Sequence, residues 1–282
     1  MGQILAGNEV SKAIREQLKE KMLKLDPSFR KPKLVVVIVG DDPASQTYVA
    51  AKAKACEQVG FLSEVNRMDE KTTQTELMDV IRQYNEDESV DGILVQLPLP
   101  KHLDSREVIL GIDPNKDVDG FHPINVGKLH MNEETFIPCT PKGIMEILKY
   151  YNLSVSGKSV VVLGRSHLVG RPIAQLMVSA NATVTICHSR SKDIQKICQE
   201  SDVIVAAVGV PHFVKKDWVK PEAIVIDVGI HRTEDNQIIG DVVPEVMEVA
   251  SYMTPVPKGV GPMTIAMLLS NTFQAYLSHL GV

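Results

Sequence analysis

Apolar residues along the chain follow two different rhythms, and the changes between them mark its elements. Val10, Ile14, Leu18 and Met22 recur every fourth residue among charged neighbours, which predicts an amphipathic helix. "KLVVVIVG" (33–40) is instead a continuous β-branched run, as expected of a strand buried on both faces of a parallel sheet. It is followed by an alanine-rich helical stretch, "SQTYVAAKAKA" (45–55), a short strand near 62–67, a helical pattern in "TTQTELMDVIRQYNED" (72–87) and a further apolar run, "DGILVQLPLP" (91–100). Short strands separated by helices predict parallel pairing through crossovers. Ligands of such sheets gather at the carboxyl ends of strands, where "GDDPASQTY" and "QLPLP" fall.

The segment "IDPNKDVDGFHPINVGKL" (112–129) is rich in Gly, Pro, Asn and Asp and reads as a long irregular loop. Loops of that length are uncommon inside compact domains unless they bind something, the alternative being a structured surface connection. Its Asp113, Asp117 and Asp119 lack the glycine and glutamate spacing of a calcium loop. A helix is expected over 139–153, with Thr140 as N-cap and Pro141 in the first helical position. Beyond it come strand 159–164, helix 170–180, strand 182–187, a helix, and strands 202–209 and 223–229, the alternation of a Rossmann-like unit. The final helix, 264–280, is apolar around much of its circumference and should pack, with the first lobe as a candidate surface.

Composition fits that picture of a two-lobed α/β chain. Its 282 residues, 44% of them hydrophobic, suffice for two cores. A net charge of -5 and no basic, aromatic-interleaved stripe argue against nucleic acid. No apolar run approaches the roughly 18–20 residues of a membrane span, so no membrane association is expected. The beginning of the chain has no secretory pattern, and Gly2 lacks the Ser or Thr expected for myristoylation. Cys56, Cys139, Cys187 and Cys198 are scattered, as reduced thiols of a cytoplasmic protein would be. The eight histidines show no metal-ligand spacing, and no metal is expected.

Two stretches carry candidate chemistry. Tyr48 and Lys52 stand one helical step apart, so phenol and ammonium should share a face; the spacing alone does not separate a proton-handling pair from a solvated surface. "GRSHLVGRP" (164–172) places Gly164 at a strand end and Gly170 at a helix start, a departure from the strict dinucleotide fingerprint, with Arg165 and Ser166 between. Where an NAD site commonly has an acid after the second strand, "CHSRSK" (187–192) offers Ser189 and Arg190, and the nearest acid is Asp193. Two arginines suit a ribose phosphate, which favours NADP over NAD as cofactor; the alternative is a pair of solvated side chains flanking a turn.

"DDPASQTYVAAKAKA", "DGILVQLPLPKHL", "KDVDGFHPINVGKL", "PCTPKGIMEIL", "GRSHLVGRP", "CHSRS", "AAVG", "IDVGI" and "TPVPKGVGPMT" occur in that order over almost the whole chain. Together they resemble the bifunctional methylenetetrahydrofolate dehydrogenase/methenyltetrahydrofolate cyclohydrolase family of one-carbon metabolism. The resemblance implies an N-terminal α/β folate-binding catalytic domain (1–140, completed by helix 264–282) and a C-terminal Rossmann-like NADP-binding domain (141–263), with a cleft between them. The length leaves no room for the formyltetrahydrofolate synthetase domain of trifunctional relatives. By the same resemblance Tyr48 lines the folate site, Lys52 is the main acid/base group, Gln96 contacts that lysine, and Asp119 binds the pterin. Leu97, Pro257 and Gly261 are expected at the folate. Gly164, Arg165 and Ser166 are expected at the pyrophosphate, Ser189 and Arg190 near the adenosine ribose, and Ile230 near the nicotinamide. A homodimer formed through the cofactor domains is implied. Each role is chemically sensible: a carboxylate accepts from pterin N–H donors, and a lysine among apolar neighbours can exchange protons near neutral pH. One departure stands out, since the family commonly has Pro-Gly-Gly-Val-Gly-Pro and this chain has Lys258 in place of the first glycine. A lysine held at positive φ there would be strained.

Three rival readings differ from this one in motif order or in completeness. A short-chain dehydrogenase also uses Tyr-x-x-x-Lys, but after its dinucleotide motif, whereas Tyr48 precedes Gly164 by more than a hundred residues. A monofunctional dehydrogenase, or a binding protein without turnover, would tolerate loss of the matched acid/base positions, and here all are filled.

Overall fold

A computed structural model describes residues 2–281. The chain divides into two units, one built from Ala13–Ile137 with residues from Ile265 onward, the other from Pro138–Thr264 with residues up to Lys12.

The first unit is organised on a three-stranded parallel sheet in the order Leu62–Met68, Lys33–Val39, Gly92–Val95. From Leu34 onward the central strand is buried, which explains its unbroken β-branched run. Helix Pro43–Val59 follows it. Asp42 caps that helix by accepting from the Ser45 amide at 2.8 Å, Pro43 occupies its first turn, and Gly60 ends it in the left-handed region at φ 88. Helix Gln74–Glu86 starts on a capping box between Thr73 and Glu76 and buries Leu77 and Ile81. A short helix absent from the sequence reading, Ser105–Gly111, is capped by Asp104 and buries Val108.

The helix at the end of the chain, Gly261–Leu280, completes this core with its later turns. Phe273 stacks on Phe61 with ring centroids 6.1 Å apart. The Tyr276 ring is buried, and its hydroxyl donates to the Arg30 carbonyl at 2.6 Å. Beside it the buried carboxylate of Asp91 accepts from Arg30 Nη1 and Nη2 at 2.6 and 2.7 Å, the Lys33 amide at 2.9 Å and His279 Nδ1 at 3.0 Å. Burial opposes ionisation of Asp91, but Arg30 and His279 outweigh it and hold the carboxyl below its ordinary range.

The second unit carries a six-stranded parallel sheet in the order Gln3–Ile4, Tyr252–Met253, Ile224–Asp227, Val203–Ala206, Ser159–Leu163, Thr183–Cys187. Its two outermost strands on one side are only two residues long. Helices Gly170–Ser179 and Ile194–Glu200 connect the later strands, and the buried core includes Val161, Leu163, Ile204, Val225 and Val246.

Two sequence expectations are corrected. The 112–129 segment is not irregular throughout: helix Pro123–His130 occupies its second half, with His122 as N-cap accepting from the Ile124 amide and Pro123 in the first turn. Helix Cys139–Tyr150 begins before Thr140, so that residue lies inside the helix and its hydroxyl pairs with that of Thr264 at 3.0 Å. Pro138 is the cap residue and offers no side-chain acceptor. Among the described residues no helix is long and apolar enough to cross a membrane, and all four cysteines are buried outside any disulfide.

Candidate functional site

Within the first unit, helix Pro43–Val59 carries Tyr48 and Lys52 past the carboxyl end of the sheet. Tyr48 is 45% exposed, whereas Lys52 is buried at 8%. Lys52 Nζ donates to Gln96 Oε1 at 2.9 Å. Gln96 directly follows strand Gly92–Val95, and its backbone N–H donates to the Val37 carbonyl at 2.8 Å. Its Nε2 donates to the Leu97 carbonyl at 2.6 Å, which turns its oxygen toward the lysine. An amide accepts from the ammonium without adding the charge of a carboxylate, which would fix the proton on nitrogen. Leu97 is half-buried and precedes Pro98 through a cis peptide bond.

Asp119 lies in a segment whose other members have structural tasks. Lys116 Nζ donates to the carbonyls of Tyr84, Asn85 and Asp87 at 3.1, 2.8 and 2.8 Å, closing the end of helix Gln74–Glu86. Asp117 is buried and accepts from the amides of Phe121 and His122 and from Asn125 Nδ2; burial pushes its carboxyl up to about 6. Val118 is fully buried, and its carbonyl accepts from Asn271 Nδ2 at 2.8 Å. Asp119 is half-buried, and Gly120 follows it at φ 75. A separate cavity of about 560 Å³ in this unit is lined by Lys21, Asn125, Lys128, Phe136 and Phe273 and includes none of the expected site residues.

In the second unit Gly164 ends strand Ser159–Leu163 at φ 115, and a Cβ there would strike the Ala207 carbonyl. A Cβ on Gly170 would strike the carbonyl of Gly164. Both glycines are therefore needed for a turn this tight. Between them Arg165, Ser166, His167 and Leu168 stand exposed before helix Gly170–Ser179, and Ser166 Oγ accepts from the amides of Val169 and Gly170, each at 3.2 Å. Ser189 and Arg190 are exposed in the turn after strand Thr183–Cys187, which His188 Nδ1 fixes by accepting from the Arg190 amide at 3.1 Å. A glycine-bounded turn at a helix start, with exposed arginines and serines, fits a phosphorylated dinucleotide. Asp193, the nearest acid, sits at the head of helix Ile194–Glu200 with φ 53.

Ile230 is half-exposed after strand Ile224–Asp227. Lys258 has φ 80 with its side chain exposed, and its carbonyl accepts from the Asn8 amide at 3.0 Å. Pro257 precedes it, exposed, and Gly261 opens the last helix. By chain position Pro257 and Gly261 belong to the second unit, and Tyr48, Lys52, Gln96, Leu97 and Asp119 to the first. Sequence reading missed the buried acids Asp227 and Asp241 and their neighbour His231. The one signal available was their adjacency to the glycines of "IDVG" and "IGD", where close backbone approach is common.

Residues 5–119 match the family model for the catalytic domain of tetrahydrofolate dehydrogenase/cyclohydrolase, and residues 138–280 match that family's NAD(P)-binding domain. Among curated relatives, the bifunctional protein FolD of Campylobacter concisus is 54% identical over 273 residues, and that of Acetivibrio thermocellus 51% over 273 residues, covering 96% of both chains in each case. Among solved structures, the bifunctional FolD methylenetetrahydrofolate dehydrogenase/cyclohydrolase of Campylobacter jejuni superposes with a TM-score of 0.97 at 48% identity over 99% of both chains. The Trypanosoma brucei FolD complexed with NADP cofactor and inhibitor superposes at 0.94 with 37% identity, covering 100% of this chain and 99% of its own.

Proposed function

Since the chain belongs to the tetrahydrofolate dehydrogenase/cyclohydrolase family, we propose that it catalyses two successive one-carbon reactions. It oxidises 5,10-methylenetetrahydrofolate to the 5,10-methenyl cation with NADP, then hydrolyses that cation to 10-formyltetrahydrofolate. The observation that carries the reading is the buried Lys52 ammonium held by an uncharged partner, Gln96, at the carboxyl end of the sheet.

NADP supplies the hydride acceptor for the first reaction. The residues of this chain bind and orient it: the Gly164–Gly170 turn, with Arg165 and Ser166, takes the pyrophosphate, and Ser189 and Arg190 take the phosphorylated ribose. Ile230 offers an apolar surface to the nicotinamide. Tyr48 shapes the folate pocket, Leu97, Pro257 and Gly261 contribute contacts, and Asp119 accepts from the pterin's amino and ring N–H groups. In the second reaction water adds to the amidinium carbon and loses one proton; the carbinol O–H then gives up its own as the carbonyl forms and the bond to N5 breaks, N5 taking up one proton, so that one is released overall. Lys52 handles these transfers, with Gln96 holding its ammonium in place between them.

A homodimer formed through the second unit is supported by its sheet edge. Thr183–Cys187 is the outer strand of a parallel sheet, paired on one side only, with Ile186 on it and Val178 on the preceding helix exposed. A cytoplasmic location is supported by the family's chemistry and by four cysteines that stand outside any disulfide.

The test is an absorbance time course with 5,10-methylenetetrahydrofolate and NADP, comparing reduced cofactor with methenyl product. Cofactor reduction with little methenyl accumulation, beyond spontaneous hydrolysis, is expected. Stoichiometric methenyl accumulation would leave only a dehydrogenase, and no reduction with NADP or NAD would refute the reading.

A further inference from the structure

Two loops leave the carboxyl edge of the six-stranded sheet in the second unit, after Val203–Ala206 and Ile224–Asp227, and two fully enclosed carboxylates tie them to a third segment that follows strand Ile238–Ile239 of a separate two-stranded sheet. Asp241 is 0% exposed. One of its oxygens, Oδ2, accepts from the amides of Val208 and Gly209 at 2.7 and 3.0 Å, in the loop after strand Val203–Ala206. The other, Oδ1, lies 2.7 Å from His231 Nε2, just past strand Ile224–Asp227. A carboxylate only accepts, so the imidazole donates from Nε2. Asp227 completes the assembly: Oδ1 accepts from the amides of Gly229 and Asp241, each at 2.9 Å, and Oδ2 from that of Val242 at 3.0 Å. Glycine is required at 229 and 240, because a Cβ at either would collide with Asp241 or Asp227 respectively. Ile230 stands between Gly229 and His231, two residues fixed by this network, yet its own side chain is half-exposed.

We infer that Asp241 and His231 are positioning residues for the cofactor: the carboxylate clamps the 208–209 loop to the 229–231 loop and so fixes where Ile230 is presented to the nicotinamide. The inference rests on the reading of Ile230 given under the proposed function. Its physical basis is economy of freedom. Half-exposed beside Gly229, with its Cδ1 end near Gly261, Ile230 is only partly held by its own packing, and a preformed surface spares the ligand the cost of ordering that loop. Neither residue needs to touch the reacting atoms. The arrangement also explains why an acid is used at 241. An asparagine has one acceptor where three donors arrive, so it must give up either the two amides or the imidazole in its present tautomer.

The experiment separates cofactor binding from the rest of the enzyme. NADP affinity is measured by calorimetry and dehydrogenase rates with varied NADP, while hydrolysis is assayed from the methenyl substrate without any cofactor. His231→Ala should weaken NADP binding and raise its KM by about tenfold, with hydrolysis held within about twofold and the melting temperature little moved. His231→Gln keeps a donor for Asp241 and should recover most of the affinity. Asp241→Asn should weaken NADP binding in the same sense. Unchanged NADP affinity in both His231→Ala and Asp241→Asn overturns the inference. Loss of both activities in parallel, with His231→Gln as impaired as His231→Ala, overturns it too, because that pattern belongs to general stability. A wild-type protein that binds NADP but oxidises no folate would instead refute the functional reading, and the calorimetry would still decide the clamp.

Discussion

Lys52 Nζ and Gln96 Oε1 are 2.9 Å apart, joining the middle of one helix to the first residue beyond a neighbouring strand. The amide of Gln96 is itself held by the Leu97 carbonyl, so the lysine has an oriented but neutral partner. Hydride transfer chiefly needs alignment, whereas ring opening needs protons moved. Lys52→Met should therefore abolish cyclohydrolase turnover while the dehydrogenase loses much less. The check is to assay each reaction from its own substrate, together with folate binding; equal losses with binding intact would contradict the role.

Gln96→Glu tests the neutrality of that partner. A carboxylate in place of the amide favours the protonated lysine, so the limb of the cyclohydrolase pH profile that reports Lys52 should move to higher pH. Nearby opposite charges shift such groups by about 1–3 units, and the rate at neutral pH should fall accordingly. A profile that stays in place would show that this lysine does not set it.

With Arg190 at the proposed ribose site, that side chain should decide the cofactor preference. Arg190→Ala removes a cation suited to a ribose phosphate and should raise the KM for NADP by about tenfold or more, in line with a charged hydrogen bond of about 1.5–3 kcal/mol. NAD, which lacks the phosphate, should be used almost as before. Steady-state kinetics with both cofactors make the comparison, and a uniform loss on both would place the arginine elsewhere.

Lys258 occupies the left-handed region with φ 80. That conformation costs a side chain with a Cβ about 1–2 kcal/mol, against about 0.5–1 kcal/mol of extra chain entropy for glycine. Lys258→Gly should thus stabilise the protein slightly, by about 0.5–1 kcal/mol, and raise its melting temperature by a few degrees. A lower melting temperature by calorimetry would mean that the lysine earns its place through contacts of its own.

Asp91 should dominate acid sensitivity of the first unit. Its carboxyl is held below the ordinary range, so its stabilising contribution is present above the unfolded-state pKa and is lost as pH falls through the folded one. Asp91→Asn should cost about 3 kcal/mol at neutral pH, since it leaves Arg30 without its partner, and the deficit should shrink as the solution is acidified. Urea denaturation across pH 3–7 is the measurement. Asp117 works with the opposite sign: raised to about 6, it favours the folded chain below the ordinary carboxylate range, and that contribution disappears as pH rises through 6.

The long apolar runs gave away the sheet strands because burial on both faces leaves no room for polar residues, as at Lys33–Val39 and Ser159–Leu163. Strands of two residues, Gln3–Ile4 and Tyr252–Met253, have too few positions to show any period. The "KDVDG" stretch shows where sequence reading of a site reaches its end. Three acids in a polar loop look alike on paper, but Asp117 is spent on Phe121, His122 and Asn125. Lys116 is spent on carbonyls about thirty residues earlier. Helix Pro123–His130 had a readable signal in His122-Pro123, which the surrounding glycine and asparagine obscured. The Asp241–His231 pair left no sign beyond the glycine beside Asp241, because it depends on three segments meeting.

The first unit is interrupted in sequence, with residues 138–264 inserted before its last helix turns. Synthesis on a ribosome proceeds in one direction, so the surface that receives Phe273 and Tyr276 is made long before those rings exist. Until they emerge, Phe61 has no ring to stack on and Asp91 has no His279. The nascent chain must therefore carry an unfinished apolar face while the inserted unit is made, and chaperone dependence should centre on that interval.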